Sequence, residues 1–413
     1  MRTATTGLIA AGADIWWVAK REMVNIVRDK RLRMIVFVAP FAYALLFCFV
    51  YMPHSVTKLP TAVLLQDHGQ LGRQLVRMFD ASPRLSVTYR VNSLTEIRDL
   101  MLHDDIDAAV VIPRDLSRRL KRGRDTYVTG YVNAGSMVSA NTAAKALNEV
   151  TQTFSAGAEI VSMMKHGERL QAAKEKFMPV KMDFRPLFNP SFNYSNFLLP
   201  GLFMAILQQV ILLGLALSWT GEKEDKSLAT LVRTSRSPLV LMTGKALPYL
   251  VVNFLVAEVF LRLLFPFCDI PMEGSWAVAI PFTALFTLTI VTWGLWVSGL
   301  CRTRLFATQL LMFIALPSFV LSGFTWPTRA MPYPIQVLGQ MLPLTHFVNG
   351  FRNVYLGAAE FRYVADDFAA LGLFTLVNIV LSYFVIRRFI VKPGLAEIAI
   401  ADSIAAAGES QRA

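Results

Sequence analysis

Six long apolar runs dominate the hydrophobic pattern of this 413-residue chain, and the first stands apart from the other five. A helix that crosses a bilayer needs about 20 mostly apolar residues. None of the runs alternates apolar and polar positions like a barrel strand, so the pattern favours helices over a β-barrel. We therefore predict an α-helical polytopic membrane protein with six transmembrane helices, at residues 34–51, 197–219, 246–268, 276–300, 305–323 and 368–386.

The first run differs from a signal peptide in three respects. It is longer than a signal-peptide apolar region, residues 1–33 precede it, and Cys48-Phe49-Val50-Tyr51 offers no small-residue cleavage site. The composition agrees with membrane insertion, because 54% of the residues are hydrophobic and the mean hydropathy is +0.45. We therefore predict that residues 34–52 form a retained first span.

The net charge of +12 could suggest nucleic-acid binding, but many basic residues lie beside the spans. Lys and Arg are enriched in cytoplasmic loops close to membrane helices. Such residues precede the first span, follow the second, separate the fourth from the fifth and follow the sixth, whereas the link after the third carries Asp269 and Glu273. This pattern predicts a multi-pass protein of the cell inner (plasma) membrane, with both termini cytoplasmic and no nucleic-acid partner.

The polar stretch after the first span has the pattern of a folded domain. Between residues 61 and 132, short β-prone runs alternate with segments of helical spacing, which is typical of a small sheet with helices packed on it. The segment 139–176 predicts long helical structure. We therefore expect an inserted extracytoplasmic α/β domain, residues 53–195, between helices 1 and 2. Its predicted strands are 61–66, 85–91, 107–112 and 126–132.

Three further segments complete the predicted domain organisation. In the cytoplasmic segment 1–33, apolar and basic residues at near-helical spacing favour a helix in the membrane interface, with an ordinary extension of the first span as the alternative. The segment 323–367 holds too many prolines to span, so we expect an external re-entrant segment of short helices that dip into the outer interface. Residues 393–413 are predicted to form a disordered cytoplasmic tail.

Several motifs of enzymes and ATPases are missing from the sequence. The phosphate-binding GxxxxGK[ST] motif does not occur, and Gly244-Lys245 lacks both the preceding glycine and the following hydroxyl residue. The five histidines have no metal-ligand spacing. Cys48, Cys268 and Cys301 form no CxxC pair, so we interpret them as buried small side chains without a disulfide framework. We expect no catalytic residues and no metal site, and any ATP must be bound by another subunit.

Four stretches around the last five spans carry a specific combination of residues. The first is the loop 221–234, Gly-Glu-Lys-Glu-Asp-Lys-Ser-Leu-Ala-Thr-Leu-Val-Arg-Thr, which residues 244–249 follow. The others are 193–201, 321–327, and 342–347 together with Arg352. In this combination the chain resembles the ABC-2 type transporter permeases over most of its length. The large polar domain after the first span resembles the multidrug-efflux-like branch of that family.

The resemblance implies a permease subunit that binds no cofactor itself. Soluble ABC ATPase subunits would hold ATP and Mg²⁺, and the permease would form a homodimer or a heterodimer with a related permease. A periplasmic adaptor protein and the lipid bilayer are the other expected partners. Residues 196–392 would form the five-helix ABC-2 permease block.

Within this block, the loop 220–245 is the expected coupling element. A helix at 225–232 would present apolar side chains to a groove in the ATPase, while acidic side chains pair with its cations. A solvated connector is the alternative. Lys226 stands where the family pattern has glycine, Ser227 where it has threonine and Ala229 where it has a third acid. The predicted coupling residues are Glu222, Lys223, Glu224, Leu228, Leu231 and Val232.

Polar residues within the spans allow two interpretations each. Glu258 and Arg262 are four residues apart on one helix face, where they can pair. They either lie on a substrate path or subunit interface, or form a structural pair from which Arg262 reaches outward. The amides of Gln208, Gln209 and Gln309 either line a polar path or join helices. In the external segment 323–367 the residues of interest are Trp326, Pro327, Pro343, His346 and Arg352.

The sequence thus predicts the permease subunit of an ATP-driven exporter for an amphipathic substrate such as a drug or a lipid. The main alternative is a membrane-anchored receptor or assembly scaffold whose outer domain binds a ligand. Such a scaffold needs no acidic cytoplasmic loop, so the loop 220–245 disfavours it. A membrane enzyme is disfavoured as well, because the spans contain no convergent acid, base or metal cluster.

Overall fold

The computed structural model describes residues 2–51, 57–122, 124–165, 189 and 193–410, and leaves the side chains of 2–10, 165 and 404–410 outside this description. The chain divides into two compact units. The membrane unit comprises Met1–Met52 and Pro186–Ala413, and the inserted unit comprises Pro53–Arg185.

Six helices in the described part of the membrane unit are long and apolar enough to cross a bilayer, which confirms the predicted number of spans. Some extend beyond the apolar run. Span 2 begins earlier than predicted because Asn193 caps it, its side chain accepting the amide N–H of Ser195 at 2.9 Å. The six are Lys30–Tyr51 (span 1), Tyr194–Glu224 (span 2), Pro238–Phe267 (span 3), Trp276–Leu300 (span 4), Arg304–Leu321 (span 5) and Phe361–Ser403 (span 6).

Further helices lie outside the spans, except that the last one overlaps the end of span 6. Spans 1, 3 and 6 each contain a π-helical turn, at Met34–Val38, Phe260–Leu264 and Arg387–Val391. A short 3₁₀ turn, Thr328–Ala330, follows span 5. The other described helices are α1 (Arg2–Arg28), α2 (Gln70–Asp80), α3 (Leu94–Leu102), α4 (Leu116–Lys121), α5 (Met137–Lys165), α6 (Leu228–Thr234), α7 (Tyr333–Gln340), α8 (Pro343–Tyr355) and α9 (Lys392–Ser410).

Span 2 is the central helix of the membrane unit, because most of its side chains are buried among spans 1, 3, 4 and 5. Aromatic pairs, which favour offset-stacked or tilted arrangements, hold its neighbours in place. Phe203 of span 2 lies 5.5 Å from Phe260 of span 3, measured between ring centroids. Phe286 of span 4 stacks at 4.1 Å on Phe347 of α8. The short helix α8 is therefore fixed to the bundle.

The inserted unit is a four-stranded sheet with helices packed on it, as the alternating pattern predicts. Strand β1 (Leu59–Leu65) pairs in parallel with β2 (Leu85–Arg90) and β3 (Ala108–Ile112), and β3 pairs antiparallel with β4 (Thr129–Val132). The strand order is β2-β1-β3-β4. Helices α2, α4 and α5 form an apolar core with one face of the sheet, and α3 packs on the other. Part of the predicted helical segment, 166–176, falls outside the described residues.

The interpretation of all three cysteines as unpaired is wrong for two of them. Cys48 near the end of span 1 forms a disulfide with Cys268, which directly follows span 3, and their Cα atoms are 6.0 Å apart. The two residues are 220 positions apart in the sequence, so only the packing of the two spans brings them together. Cys301 is buried and free.

The expectation of a disordered tail is also wrong for residues 393–410, which are helical. Helix α9 is ordered because it packs on α6. Leu395 and Ile398 contact the hydrophobic core of the membrane unit. The Glu397 carboxylate accepts the amide N–H of Ala229 at 3.3 Å, and Arg233 pairs with Asp402 at 3.0 Å. Because α6 lies far from the tail in the sequence, the pattern of the tail alone does not indicate these contacts.

Candidate coupling site at the end of span 2

Span 2 ends in the charged residues Glu222-Lys223-Glu224, and two more, Asp225 and Lys226, follow directly. The helix stops there because Lys226 adopts a left-handed conformation, with φ at 52°. This region of backbone space favours glycine. Lys226 stands at the position where the family pattern has glycine. The chain then turns directly into α6.

A cluster of four charged side chains lies beneath this turn and is called the buried charge cluster: Arg21, Glu22, Glu222 and Lys245. Lys245 Nζ lies 2.6 Å from Glu22 Oε2 and 3.2 Å from Glu222 Oε1. Arg21 Nη2 lies 2.9 Å from Glu222 Oε2. The side chains of Glu22, Glu222 and Lys245 are 3%, 4% and 1% exposed. The cluster therefore joins α1, span 2 and span 3 through groups that have almost no access to solvent.

Neutral side chains satisfy the remaining oxygens of the buried carboxylates. Ser218 donates a hydrogen bond of 2.8 Å to Glu22 Oε1, and the hydroxyl of Tyr249 donates one of 3.2 Å to the same atom. Ser227 donates to Glu222, and Lys245 Nζ lies 5.0 Å from the ring centroid of Trp219. Two carboxylates and two cations balance in charge. A buried ion pair persists only with such extra hydrogen bonds, because removing charges from water is costly.

Close approach of α1 to span 3 depends on a glycine beside the cluster. A Cβ atom at Gly244 would lie 2.6 Å from Val18 Cβ and 3.2 Å from the carbonyl oxygen of Ile15. Both of these neighbours belong to α1. The motif Gly244-Lys245, which has no phosphate-binding partner residues, therefore has a packing role: the glycine admits α1, and the lysine reaches Glu22.

The three other charged residues at the end of span 2 bind spans 4 and 5. Lys223 Nζ donates to the backbone carbonyls of Gly299 and, at 2.8 Å, Cys301, where a cation complements the C-terminus of span 4. Glu224 accepts the amide N–H of Arg304 at 2.7 Å, at the N-terminus of span 5. The Arg304 guanidinium contacts Asp225 at 2.5 Å and Glu224 at 3.4 Å.

The predicted coupling residues are therefore directed into the chain itself. Leu228, Leu231 and Val232 are buried, with α9 packed on α6, whereas the sequence-based prediction has them facing a groove in a partner. Glu222 and Glu224 pair with cations of this chain. The amphipathic pattern of the loop correctly indicates a buried face. The pattern does not show which element covers this face. In the structure, α9 covers it.

The intramembrane polar residues are not brought together into one path. Arg262 Nε donates to Glu258 Oε2 at 2.8 Å, as their spacing predicts, and its guanidinium lies 4.8 Å from the ring centroid of Trp276. Gln208 is buried, and its side chain has no hydrogen-bond partner among the described residues. Gln209 is half-buried, and Gln309 is exposed on span 5.

The segment 323–367 contains the predicted short helices, α7 and α8, and two of the predicted residues fix α8. The Arg352 guanidinium lies 4.3 Å from the ring centroid of Phe324 and donates to its carbonyl at 3.2 Å, while burial lowers the pKa of Arg352. His346 Nδ1 lies 3.7 Å from Asp367 Oδ1 of span 6, and this carboxylate raises the pKa of His346. Pro343 begins α8, Pro327 precedes the 3₁₀ turn, and Trp326 is exposed.

Sequence reasoning missed four residues of the site: Arg21, Glu22, Lys245 and Arg304. A signal existed for Lys245, because a lone cation at the start of an apolar span requires a buried partner. Glu22 carries a similar signal, since it lies between the apolar residues Val18 and Ile26 on one face of α1. Neither pattern identifies which charge pairs with which.

Comparison with known proteins agrees with this architecture. A model of the ABC-2 family transporter proteins matches residues 30–384. The probable multidrug ABC transporter permease YbhR of Escherichia coli (strain K12) is 24% identical over 374 residues, which cover 91% of this chain and 98% of the relative.

Two other relatives from the same organism match most of the chain. The probable multidrug ABC transporter permease YbhS is 26% identical over 338 residues, covering 81% of this chain and 86% of the relative. The inner membrane transport permease YhhJ is 25% identical over 372 residues, covering 87% and 92%. Because the family model matches well over half of the chain, this multi-pass membrane protein belongs to the ABC-2 family of transporters and is an ABC-2 type permease.

Proposed function

We propose that this chain is the permease subunit of an ATP-driven exporter, which moves an amphipathic substrate such as a drug or a lipid out of the cytoplasm or the inner leaflet. Membership of the ABC-2 family supports the transport role. The names of the relatives YbhR and YbhS, probable multidrug ABC transporter permeases, support an amphipathic substrate. Separate subunits would bind ATP and Mg²⁺, since the chain lacks a phosphate-binding loop.

The observation that carries this proposal is the connection of one helix end to four other elements. Through Glu222 the end of span 2 is bonded to α1 and span 3, and through the next three residues to spans 4 and 5. Direct ion pairs and hydrogen bonds can transmit a displacement between packed helices. An ATPase that moved α1 or the turn at Lys226 would therefore move the ends of five helices together.

The proposed orientation rests on two independent features. Basic residues flank the ends of the spans at which the buried charge cluster lies, as expected for the cytoplasmic side. The Cys48–Cys268 disulfide lies at the opposite ends of spans 1 and 3. Disulfides persist in oxidising compartments such as the bacterial periplasm. Both features support cytoplasmic termini and an inserted unit on the outer side.

The proposed assembly contains two permease chains, identical or related, and two ATPase subunits. The inserted unit would gate the exit or dock a periplasmic adaptor. The dimer and the adaptor are both expectations from the resemblance to the family.

Reconstitution tests the proposal. The tagged chain would be purified from its native membranes with its associated subunits and inserted into liposomes, and transport of a fluorescent cationic amphiphile would be followed. We expect transport that requires Mg-ATP and stops with a non-hydrolysable analogue. A preparation that contains no ATP-hydrolysing subunit, or transport that is indifferent to nucleotide, would contradict the proposal.

A further inference from the structure

A groove of about 720 Å³ lies where spans 1 and 5 begin and span 2 ends. Its volume is in the range of small-molecule sites, roughly 300–1,000 Å³. All of its walls belong to the membrane unit. Because both spans begin here, a bilayer that the spans cross would change from headgroups to acyl chains near the groove.

The groove is cationic at one end and apolar along its length. Lys30, Arg31 and Arg304 line it together with a single carboxylate, that of Glu224, which Arg304 already neutralises. The side chains of Lys30 and Arg31 are exposed and form no ion pair with the described residues. Two positive charges at this end of the groove are therefore outside the ion pairs of the described residues.

The apolar part of the groove consists of two exposed and two half-buried side chains. Met34 is 49% exposed and Leu305 is 69% exposed, and both line the groove with Ile35 and Leu217. Met34 and Ile35 belong to the π-helical turn of span 1, which directly follows the basic residues. An occupant with one charged end and one apolar end would satisfy both parts at once.

We propose that this groove is a binding site for an anionic phospholipid, whose phosphate contacts Lys30 and Arg31 and whose acyl chain lies along Met34, Ile35 and Leu305. Basic pockets between membrane helices bind anionic headgroups, and the apolar floor excludes an ion without a tail. The site concerns a resident lipid rather than the exported substrate, so it goes beyond the proposed function.

Arg304 gives such a lipid a route to the coupling site. The same guanidinium lines the groove and bonds Glu224 and Asp225 at the end of span 2. A phosphate near Arg304 competes with these carboxylates, whereas an empty groove leaves their contacts undisturbed. Occupancy of the groove therefore changes the strength of the bond between spans 2 and 5.

Lipid binding to the purified protein in an uncharged detergent tests the proposal. Native mass spectrometry would measure binding of dioleoyl phosphatidylglycerol, with dioleoyl phosphatidylcholine and inorganic phosphate as comparison probes. We expect phosphatidylglycerol to bind at least tenfold more tightly than phosphatidylcholine, and inorganic phosphate not to compete at equal concentration. The double variant K30Q/R31Q should lose at least tenfold in affinity for phosphatidylglycerol.

Two further variants separate the groove from general charge. R387Q/R388Q removes two exposed cations from the π-helical turn of span 6, outside the groove, and should bind as the wild type does. T308W fills the groove, which Thr308 lines, without removing a cation, and should lose binding. Equal binding of both lipids, unchanged affinity in T308W or in folded K30Q/R31Q, or equal competition by inorganic phosphate would overturn the proposal.

Discussion

Lys245 Nζ of span 3 lies 2.6 Å from Glu22 Oε2 of α1, and both side chains are almost completely buried. This contact ties the N-terminal helix to a membrane span across 223 positions of sequence. It lies at the centre of the buried charge cluster, so substitutions there have the largest expected effects.

Replacing Lys245 by methionine should destabilise the protein by about 3–5 kcal/mol, because two carboxylates remain buried with one cation. Thermal unfolding in detergent would measure the loss. The double variant E22Q/K245M should recover part of it, since Glu222 keeps Arg21. Removing Arg233 from its exposed pair with Asp402 is the matched control and should cost less than about 1 kcal/mol. Equal losses in K245M and R233M would contradict the central role of the cluster.

Substituting Arg304 by glutamine should reduce ATP-driven transport more than it reduces assembly. The variant keeps the backbone bond to Glu224 but loses the ion pairs that join spans 2 and 5. Transport and ATP hydrolysis in the same liposomes would show a lower ratio of substrate moved to ATP hydrolysed. R302Q removes a neighbouring exposed cation and should leave that ratio unchanged. An unchanged ratio in R304Q would show that these pairs do not take part in coupling.

Breaking the Cys48–Cys268 disulfide should destabilise the membrane unit by about 2–4 kcal/mol. A reductant should therefore lower the unfolding temperature of the wild type. The variant C48A/C268A should start at the lower temperature and not respond to reductant, although Cys301 is still present. If reductant lowered the unfolding temperature of both proteins by a similar amount, the change would come from a group other than this disulfide.

The pair of His346 and Asp367 predicts a pH-dependent stability. Because the carboxylate raises the pKa of His346 above its ordinary value of about 6.5, the pair stabilises the folded state fully below about pH 6.5. That stabilisation is lost as the pH rises through the raised pKa. The difference in unfolding temperature between wild type and H346Q should shrink from pH 5.5 to pH 8.5. A difference that grows with pH would exclude this pair as its source.

Replacing Lys226 by glycine should leave the stability unchanged or raise it by up to about 1 kcal/mol. The substitution removes a left-handed non-glycine residue, which costs about 1–2 kcal/mol. Glycine in turn loses roughly 0.5–1 kcal/mol more than other residues in conformational entropy on folding. K226A, which keeps the strain without the charge, is the control. Destabilisation by glycine that alanine does not reproduce would show that the conformation is not strained.

The sequence predicts features that depend on local pattern and misses those that depend on distant packing. Six spans were predictable because apolar length is a property of consecutive residues. The burial of Leu228 and Leu231 was predictable from spacing, but the helix that covers them lies more than 150 residues later. Likewise, Cys48 and Cys268 give no local sign of pairing, and their bond depends on how spans 1 and 3 pack.

In the candidate site, too, some residues are indicated by the local sequence and others depend on distant packing. Glu222 and Glu224 were identified by their resemblance to the family, since each matches its pattern. Their partners Lys245 and Arg304 lie in segments whose own patterns specify only the start of a span. A charge at such a position signals that a partner exists. The three-dimensional arrangement alone determines that the partners are Glu22, Glu222 and Glu224.

Span 3 is fastened at both ends: the buried charge cluster holds its start to α1 and span 2, and the disulfide after Phe267 holds its end to span 1. A helix secured in this way cannot shift along its axis without carrying α1 and the neighbouring ends of spans 1 and 2 with it. Span 5, which has fewer buried side chains, is joined to span 2 at its start by the Arg304 contacts. A displacement of α1 would consequently reach both ends of span 3 and the start of span 5.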